Sequence, residues 1–365
     1  MTTLAADGPG SLAEALAASG PRIIEFSVAG VVDLGGRSLL LQNPFATIAG
    51  ETAPAPGVTL TNGGMNIATR DVVVRHIRIR PGAQRRERKS GWDVDGLSVT
   101  GSDVIVDHCS FAWATDENLS ASGPRFEGET PEEWRRNTSH RVTFSNNIVA
   151  EGLLDSAHAK GRHSMGSLIH DNVTDIAIHG NLYISNNRRN PFFKGGSRGA
   201  VVNNLIHNPG QQIVHFSLNT NEWGSHPWER GAMVIVGNVA RRGPSTAAGA
   251  LFLDARGPVD LYLADNLMLD TDGSRIDPPV RLTETEGVSV GKAGDMSPRV
   301  VVTAPFWPPG LKSESAENLT DKIFANVGAR PWDRDPTDHR LIQEARTGGG
   351  RIIDYESELG GLAGR

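Results

Sequence analysis

The chain has 365 residues, among them 42 glycines and 21 prolines, with 38% hydrophobic residues, the composition of a turn-rich all-β protein rather than a disordered one. Its 36 basic and 42 acidic side chains leave a net charge of −6, which argues against a general nucleic-acid binder. No run approaches the roughly 18 apolar residues of a membrane span. The start Met1-Thr2-Thr3-Leu4 has neither the charged nor the apolar region of a leader, although a processed chain would lack one too.

The first element expected in chain order is a short helix. Ser11 and Glu14 have capping-box spacing, the stretch is rich in Leu and Ala, and Gly20-Pro21 stops it. With Leu12 and Leu16 facing inward, residues 1–22 would cap the open end of a stack of strands. Beyond the helix the chain repeats a pattern in which alternating apolar residues lead to a polar pair. Val72 to Val74 precede Arg75-His76, Val104 to Val106 precede Asp107-His108, and Val142 to Phe144 precede Asn146-Asn147. Ile176 to Ile178 precede Gly180-Asn181, Val201-Val202 precede Asn203-Asn204, Val234 to Val236 precede Gly237-Asn238, and Leu261 to Leu263 precede Asp265-Asn266. Spacings of roughly 25 to 38 residues predict one short strand per turn with loops of varying length. A single-stranded right-handed parallel β-helix fits, with inward Asn side chains bonding the coils above and below. Regular Asn-Gly or Asp-Gly hairpin signals are lacking, which disfavours a propeller or sandwich. A solenoid grows lengthwise, so residues 1–365 read as a single domain.

Cys109 falls in a strand unit and reads as a small core residue. Between Arg75 and Lys89 lies a basic run of Arg75, Arg78, Arg80, Arg85, Arg86, Arg88 and Lys89, either a solvated face or a contact for a polyanion. Two long insertions, 124–141 and 219–231, look like loops walling a cleft. Trp223 and Trp228 in the second either stack on sugar rings or anchor the loop. Residues 270–365 form a loop-rich segment packing on the coil, with a helix from Asp335-Pro336 through Ala345, closed by Gly348-Gly349-Gly350.

Three clusters carry chemistry. Asp93 and Asp95 lie two apart, on one side of an extended segment, and Asp116-Glu117 follow one coil later. Converging oxygen ligands suit a hard cation such as Ca²⁺ rather than zinc, although paired acids also occur in ordinary turns. From Ser185 to Gly196, Arg188, Arg189, Pro191 and Lys194 make a stiff cationic turn suited to binding carboxylates. Lys160 to Gly166 includes His163, either a titrating group or a coil-stacking residue like His76 and His108.

The ordered set Trp92-Asp93-Val94-Asp95-Gly96, Val104 to Phe111, Arg189-Asn190-Pro191 and Lys194-Gly195-Gly196 resembles the pectate lyases of polysaccharide lyase family 1. The likeness runs from the cap to about Asn266, and the tail around Ala325 to Arg330 and Ile352 to Asp354 is also similar to bacterial members. The resemblance implies β-elimination of a polyuronate, an acidic polysaccharide, by a secreted or periplasmic monomer that contacts neither nucleic acid nor membrane. It implies Ca²⁺ held by Asp93, Asp95 and Asp116, with Arg189 as base and Lys194 as a catalytic-site cation that binds substrate. Two positions depart from the family pattern. Ser120 stands where a further aspartate is usual, so Glu117 would substitute as a metal ligand, and His163 stands where a lysine binds substrate, flanked by Lys160 and, from the cationic turn, Arg188. The competing expectations are a lyase on another uronate polymer, a β-helix glycoside hydrolase using the same carboxylates, and a non-catalytic polysaccharide-binding β-helix.

Overall fold

The computed structural model describes residues 1–285 and 296–361. Alternation of buried Val and Ile with outward residues puts the repeat units into one sheet, stacked in parallel register. Val72 lies beside Val104, Val104 beside Val142, and Val142 beside Ile176. Each coil holds three strands, so the expected single strand per turn is only the first of them. Among the described residues the three sheets have ten, ten and nine strands, which are parallel and three apart in chain order except at the C-terminal edge, where Leu267–Leu269 pairs antiparallel with Arg275–Ile276. The strands of the second sheet escaped the pattern because they are short. Segments such as Ser110–Ala112, Ile148–Ala150 and Leu182–Ile184 are three residues long and buried throughout, so no alternation shows. The result is a parallel β-helix whose interior is lined from Leu12 and Leu16 to Met268 by one continuous core.

The predicted amide ladder is present. The Asn147 backbone N–H and side-chain Nδ2 both donate to Asn181 Oδ1, at 2.9 and 3.0 Å. Asn181 repeats the pattern with Asn204, Asn204 with Asn238, and Asn238 with Asn266. Asn181, Asn204 and Asn238 have no exposed surface, so every bond replaces water that cannot reach them. Asn181→Ala is expected to leave the Asn147 N–H and the Phe144 carbonyl unpaired and to cost about 3 kcal/mol. The urea midpoint measures it, and a loss under about 1 kcal/mol would mean that water replaces the amide.

Ser11 caps the helix Leu12–Ala17, and Leu12 and Leu16 are buried against the first coil, as the sequence predicts. The C-terminal helices Leu319–Asn326 and Pro336–Thr347 cover the outer face of the second sheet. There Leu319, Ile323, Leu341 and Ile342 meet Ile148, Leu182 and Leu205. Asp335 caps the second of these helices and Gly348, at φ 79°, closes it. Residues 286–295 and 362–365 of the predicted C-terminal segment lie outside the described residues.

The basic run is not one face of either expected kind. Arg78 and Arg80 are buried and face Asp335 and Asp338, which ties the C-terminal helix to the coil. Arg75 pairs with Glu51, Arg88 with Asp155 and Asp354, and Arg86 stacks 3.6 Å from the Trp92 ring centroid. Strand alternation and the returning C-terminus, neither visible in a charge count, sort these cations into structural pairs. Cys109 is a core residue, and burial raises its thiol to about 12.

Candidate active site

The site forms at the turn that leads into the third sheet. Leu97 pairs with Leu119, which sets Asp95 level with Glu117 one coil on. Isolated bridges then stack Glu117 on Met165 and Met165 on Arg188. Side chains far apart in sequence thereby line one corner of consecutive coils. A second amide set supports that corner from within, since buried Asn118 Nδ2 donates to Asn186 Oδ1 at 3.1 Å, which also accepts the Gly152 N–H.

Arg189 stands on a bulge. Met165 pairs with Arg188 and Leu168 with Phe192, so three residue steps on one coil face four on the next. The extra residue is accommodated with Arg189 at φ 62°, the left-handed conformation this chain also adopts at turn residues such as His76 and Asn146. Gly166 makes room for it, because a Cβ there would lie 2.4 Å from the Arg189 carbonyl oxygen. The bulge turns the guanidinium toward the acids, where it forms an ion pair with Glu117. Burial lowers the Arg189 pKa from its ordinary value, opposed by the charges of Asp116, Asp95 and Glu222.

Asp95, Asp116 and Glu117 bring carboxylate oxygens within 4.8 Å of one another. Asp95 accepts hydrogen bonds from Ser120 Oγ at 3.0 Å and from the Glu117 N–H at 3.1 Å. Burial, with the Asp116 charge beside it, nevertheless pushes Asp95 up to about 7. Burial also works against ionised Asp116, but the hydrogen bond and charge of His163 hold it below the usual carboxylate range. The donor set is all hard oxygen and carries crowded negative charge, which fits a cation such as Ca²⁺. Asp93 stands apart from this trio. Its Oδ1 accepts the Ala159 N–H at 2.7 Å and lies 3.8 Å from His158 Nε2.

His163 Nε2 bonds Asp116 Oδ1 at 2.8 Å, and its ring stacks on His158 with centroids 3.7 Å apart. His158 went unnoticed in the sequence. Its Nδ1 accepts the Lys160 N–H at 3.0 Å, which leaves the proton of the neutral ring on Nε2, directed at Asp93 and Asp116. A nitrogen that keeps its proton is no metal ligand, so His158 orients the carboxylates, while His163 meets Asp116 through its Nε2. Lys160 is exposed, and so is Arg188, whose Nε donates to Gln211 Oε1 at 2.7 Å.

Lys194 is drawn into a network absent from the sequence reading. Its ammonium lies 3.2 Å from Asp171 Oδ2 and pairs with Glu222, while Arg125 reaches the same two carboxylates at 2.9 Å each. Asp171 also accepts from Trp223 Nε1 at 2.7 Å. The two long insertions meet here. Phe126 stacks on His226 at 3.8 Å and edges onto Trp134 and Trp223, so these tryptophans anchor the wall instead of facing a sugar. Nothing in the repeat marks Arg125, Asp171 or Glu222, which come from three separate loops.

Comparison with known proteins adds relatives to this geometry. No family model matches the chain. A protein named Probable pectate lyase C from Aspergillus terreus is 31% identical over 366 residues, covering 99% of this chain and 76% of its own length. Its namesake from Emericella nidulans is 30% identical over 372 residues, covering 99% and 75%. Among solved structures, the cedar pollen allergen jun a 1 aligns with a TM-score of 0.55 at 14% identity, over 90% of this chain and 87% of its own. A pectate lyase from Bacillus sp. N165, in complex with trigalacturonate, aligns at 0.51 and 12% identity, over 85% and 86%. The structural likenesses carry the fold, and the sequence relatives, matched over nearly the whole chain, carry the lineage: this chain belongs to the pectate lyase family.

Proposed function

We propose that the chain is a polysaccharide lyase that cleaves pectate by Ca²⁺-assisted β-elimination, with Arg189 as the base. The observation that carries this reading is a desolvated guanidinium turned by a bulge onto three clustered carboxylates. Asp95, Asp116 and Glu117 would hold the cation, with Asp93 at the margin. A Ca²⁺ held there would supply positive charge to a substrate carboxylate and offset the anionic charge around Arg189. Arg189 in its neutral form would take the proton from carbon 5 of a galacturonate ring, the freed electron pair would form the double bond to carbon 4 as its bond to the glycosidic oxygen breaks, and the departing oxygen would gain a proton from water. Exposed Arg188 and Lys160 would meet carboxylates along the polymer, while His163, which bonds Asp116, positions a metal ligand. The chemistry and the quoted motifs support placement in polysaccharide lyase family 1. A polymeric substrate met outside the cell supports secretion.

Hydrolysis fits the same carboxylates poorly. That reaction needs one free carboxyl as acid and another to act as nucleophile or to activate water, whereas Arg189 forms an ion pair with Glu117 and His163 bonds Asp116. Product masses separate the two reactions. Elimination fragments should sum to the parent oligosaccharide, and a sum heavier by one water would overturn the lyase reading.

Asp95→Asn is expected to raise the Ca²⁺ concentration for half-maximal activity by at least about tenfold. It should also stabilise the calcium-free protein at pH 8. With Asp95 at about 7 when folded and about 3.9 when unfolded, the folded state binds the extra proton, so stability falls as pH rises between these values and the full cost remains above them. Melting in EDTA reads this out, and a lower Tm for the variant at pH 8 would reject the crowded-charge account.

A further inference from the structure

Lys194 stands where the family resemblance places a substrate-binding cation, but its charge is already matched. Two cations, Lys194 and Arg125, face two anions, Asp171 and Glu222. Adjoining His170 is pushed down to about 4 by burial and the nearby Lys194, so it adds no charge at neutral pH. Asp171 is fully buried, and the charges of Lys194 and Arg125, with the Trp223 hydrogen bond, keep it ionised against the effect of burial. Glu222 is the cluster's outward member, with its side chain 35% exposed against 10% for Lys194.

Glu222 is also fixed. It sits on the helical turn Thr220–Trp223, whose Trp223 is fully buried, and Arg125 from the other insertion holds its Oε2. A free uronate carboxylate reaching Lys194 would bring a third anion beside two and would have to displace one that is anchored from both sides. An uncharged ester meets no such repulsion, which is how a site discriminates through an unfavourable contact.

We propose that Glu222 renders the subsite at Lys194 electrically neutral, so that the sugar ring lying there is accepted with its carboxyl group methyl-esterified. The inference rests on the pectate-lyase reading, which puts a galacturonate chain in the cleft. The enzyme would then act on partly methylated polymer, and Glu222 would set that tolerance.

The test compares binding of trigalacturonic acid and of its methyl ester to the wild-type protein and to Glu222→Gln, by calorimetry in EDTA so that no turnover intervenes. Glutamine keeps the shape and one acceptor for Arg125, so the wall stays assembled. The variant exposes one uncancelled positive charge and should bind the acid about tenfold more tightly, the worth of one charge-assisted contact, with the ester changed by less than about twofold. Equal changes for both ligands, or weaker binding of the acid, would overturn the proposal, the latter by showing that Glu222 aims Lys194 at a carboxylate. Failure of the lyase reading would appear instead as absence of unsaturated product from either polymer, a trace on which the binding ratio does not depend.

Discussion

Replacing Arg189 with alanine is expected to reduce turnover by at least about a thousandfold, the upper range for a general base, while the coil stays folded. The side chain is not part of the interior core. It stands on a one-residue bulge, 22% exposed, and meets Glu117. Removing it leaves Glu117 without its cation, a cost of about 1–3 kcal/mol that bound Ca²⁺ should offset. The pH profile gives an independent check. A guanidinium is a poor base because its ordinary pKa lies above about 12. Burial lowers it here, and a cation among the carboxylates removes the charge that opposes the lowering. Activity should therefore climb toward alkaline pH in Ca²⁺. A variant that keeps a near-normal rate, or a wild-type optimum near pH 5 that survives EDTA, would take Arg189 out of the mechanism.

Arg80→Met should be the most damaging single change outside the site. The guanidinium has no exposed surface and donates to Asp335 at 2.5 Å and Asp338 at 2.7 Å, and Asp338 also accepts from Ser110 at 2.7 Å. The substitution leaves two buried or partly buried carboxylates sharing Arg78, which lies 3.5 Å from each. Losing one partner of a buried charge group costs about 3–5 kcal/mol, even where replacing the whole group with apolar residues would not. Chemical denaturation should show a loss near 4 kcal/mol, and proteolysis should begin within residues 319–347, where the helices detach from the second sheet. Acid tests the same clamp in the wild type. Although burial opposes its ionisation, Arg80 and Arg78 hold Asp335 at about 2, below its unfolded value of about 3.9. Its contribution is therefore complete above about pH 4 and is lost as pH falls through about 2. Asp335→Asn should remove this acid-dependent part, and an unchanged acid transition in that variant would place it elsewhere.

The coil was legible because one strand per turn carries alternating Val and Ile ahead of Asn, and that pair of signals survives loops of any length. The strands of the second sheet were not, since three-residue segments such as Ser110–Ala112 are buried on both sides and show no period. At the site, the residues before the third sheet could be read, with Asp95, Asp116 and Glu117 brought together by register and Arg189 by the bulge beside them. Partners that arrive from loops could not. The stacking of His158 beneath His163, the seating of Lys194 between Asp171 and Glu222, and the turn of Asp93 toward Ala159 depend on how separate insertions fold back. Arg80 illustrates the same limit, because its partner Asp335 lies 255 residues away and no charge count reveals the pairing.

The most direct measurement of the central claim follows ultraviolet absorbance of the unsaturated product during incubation with polygalacturonate at alkaline pH, with Ca²⁺ and then with EDTA. A rise that requires Ca²⁺ and vanishes in Arg189→Ala is the predicted result. A flat trace from folded wild-type protein, or a rise indifferent to both EDTA and Arg189, would contradict it.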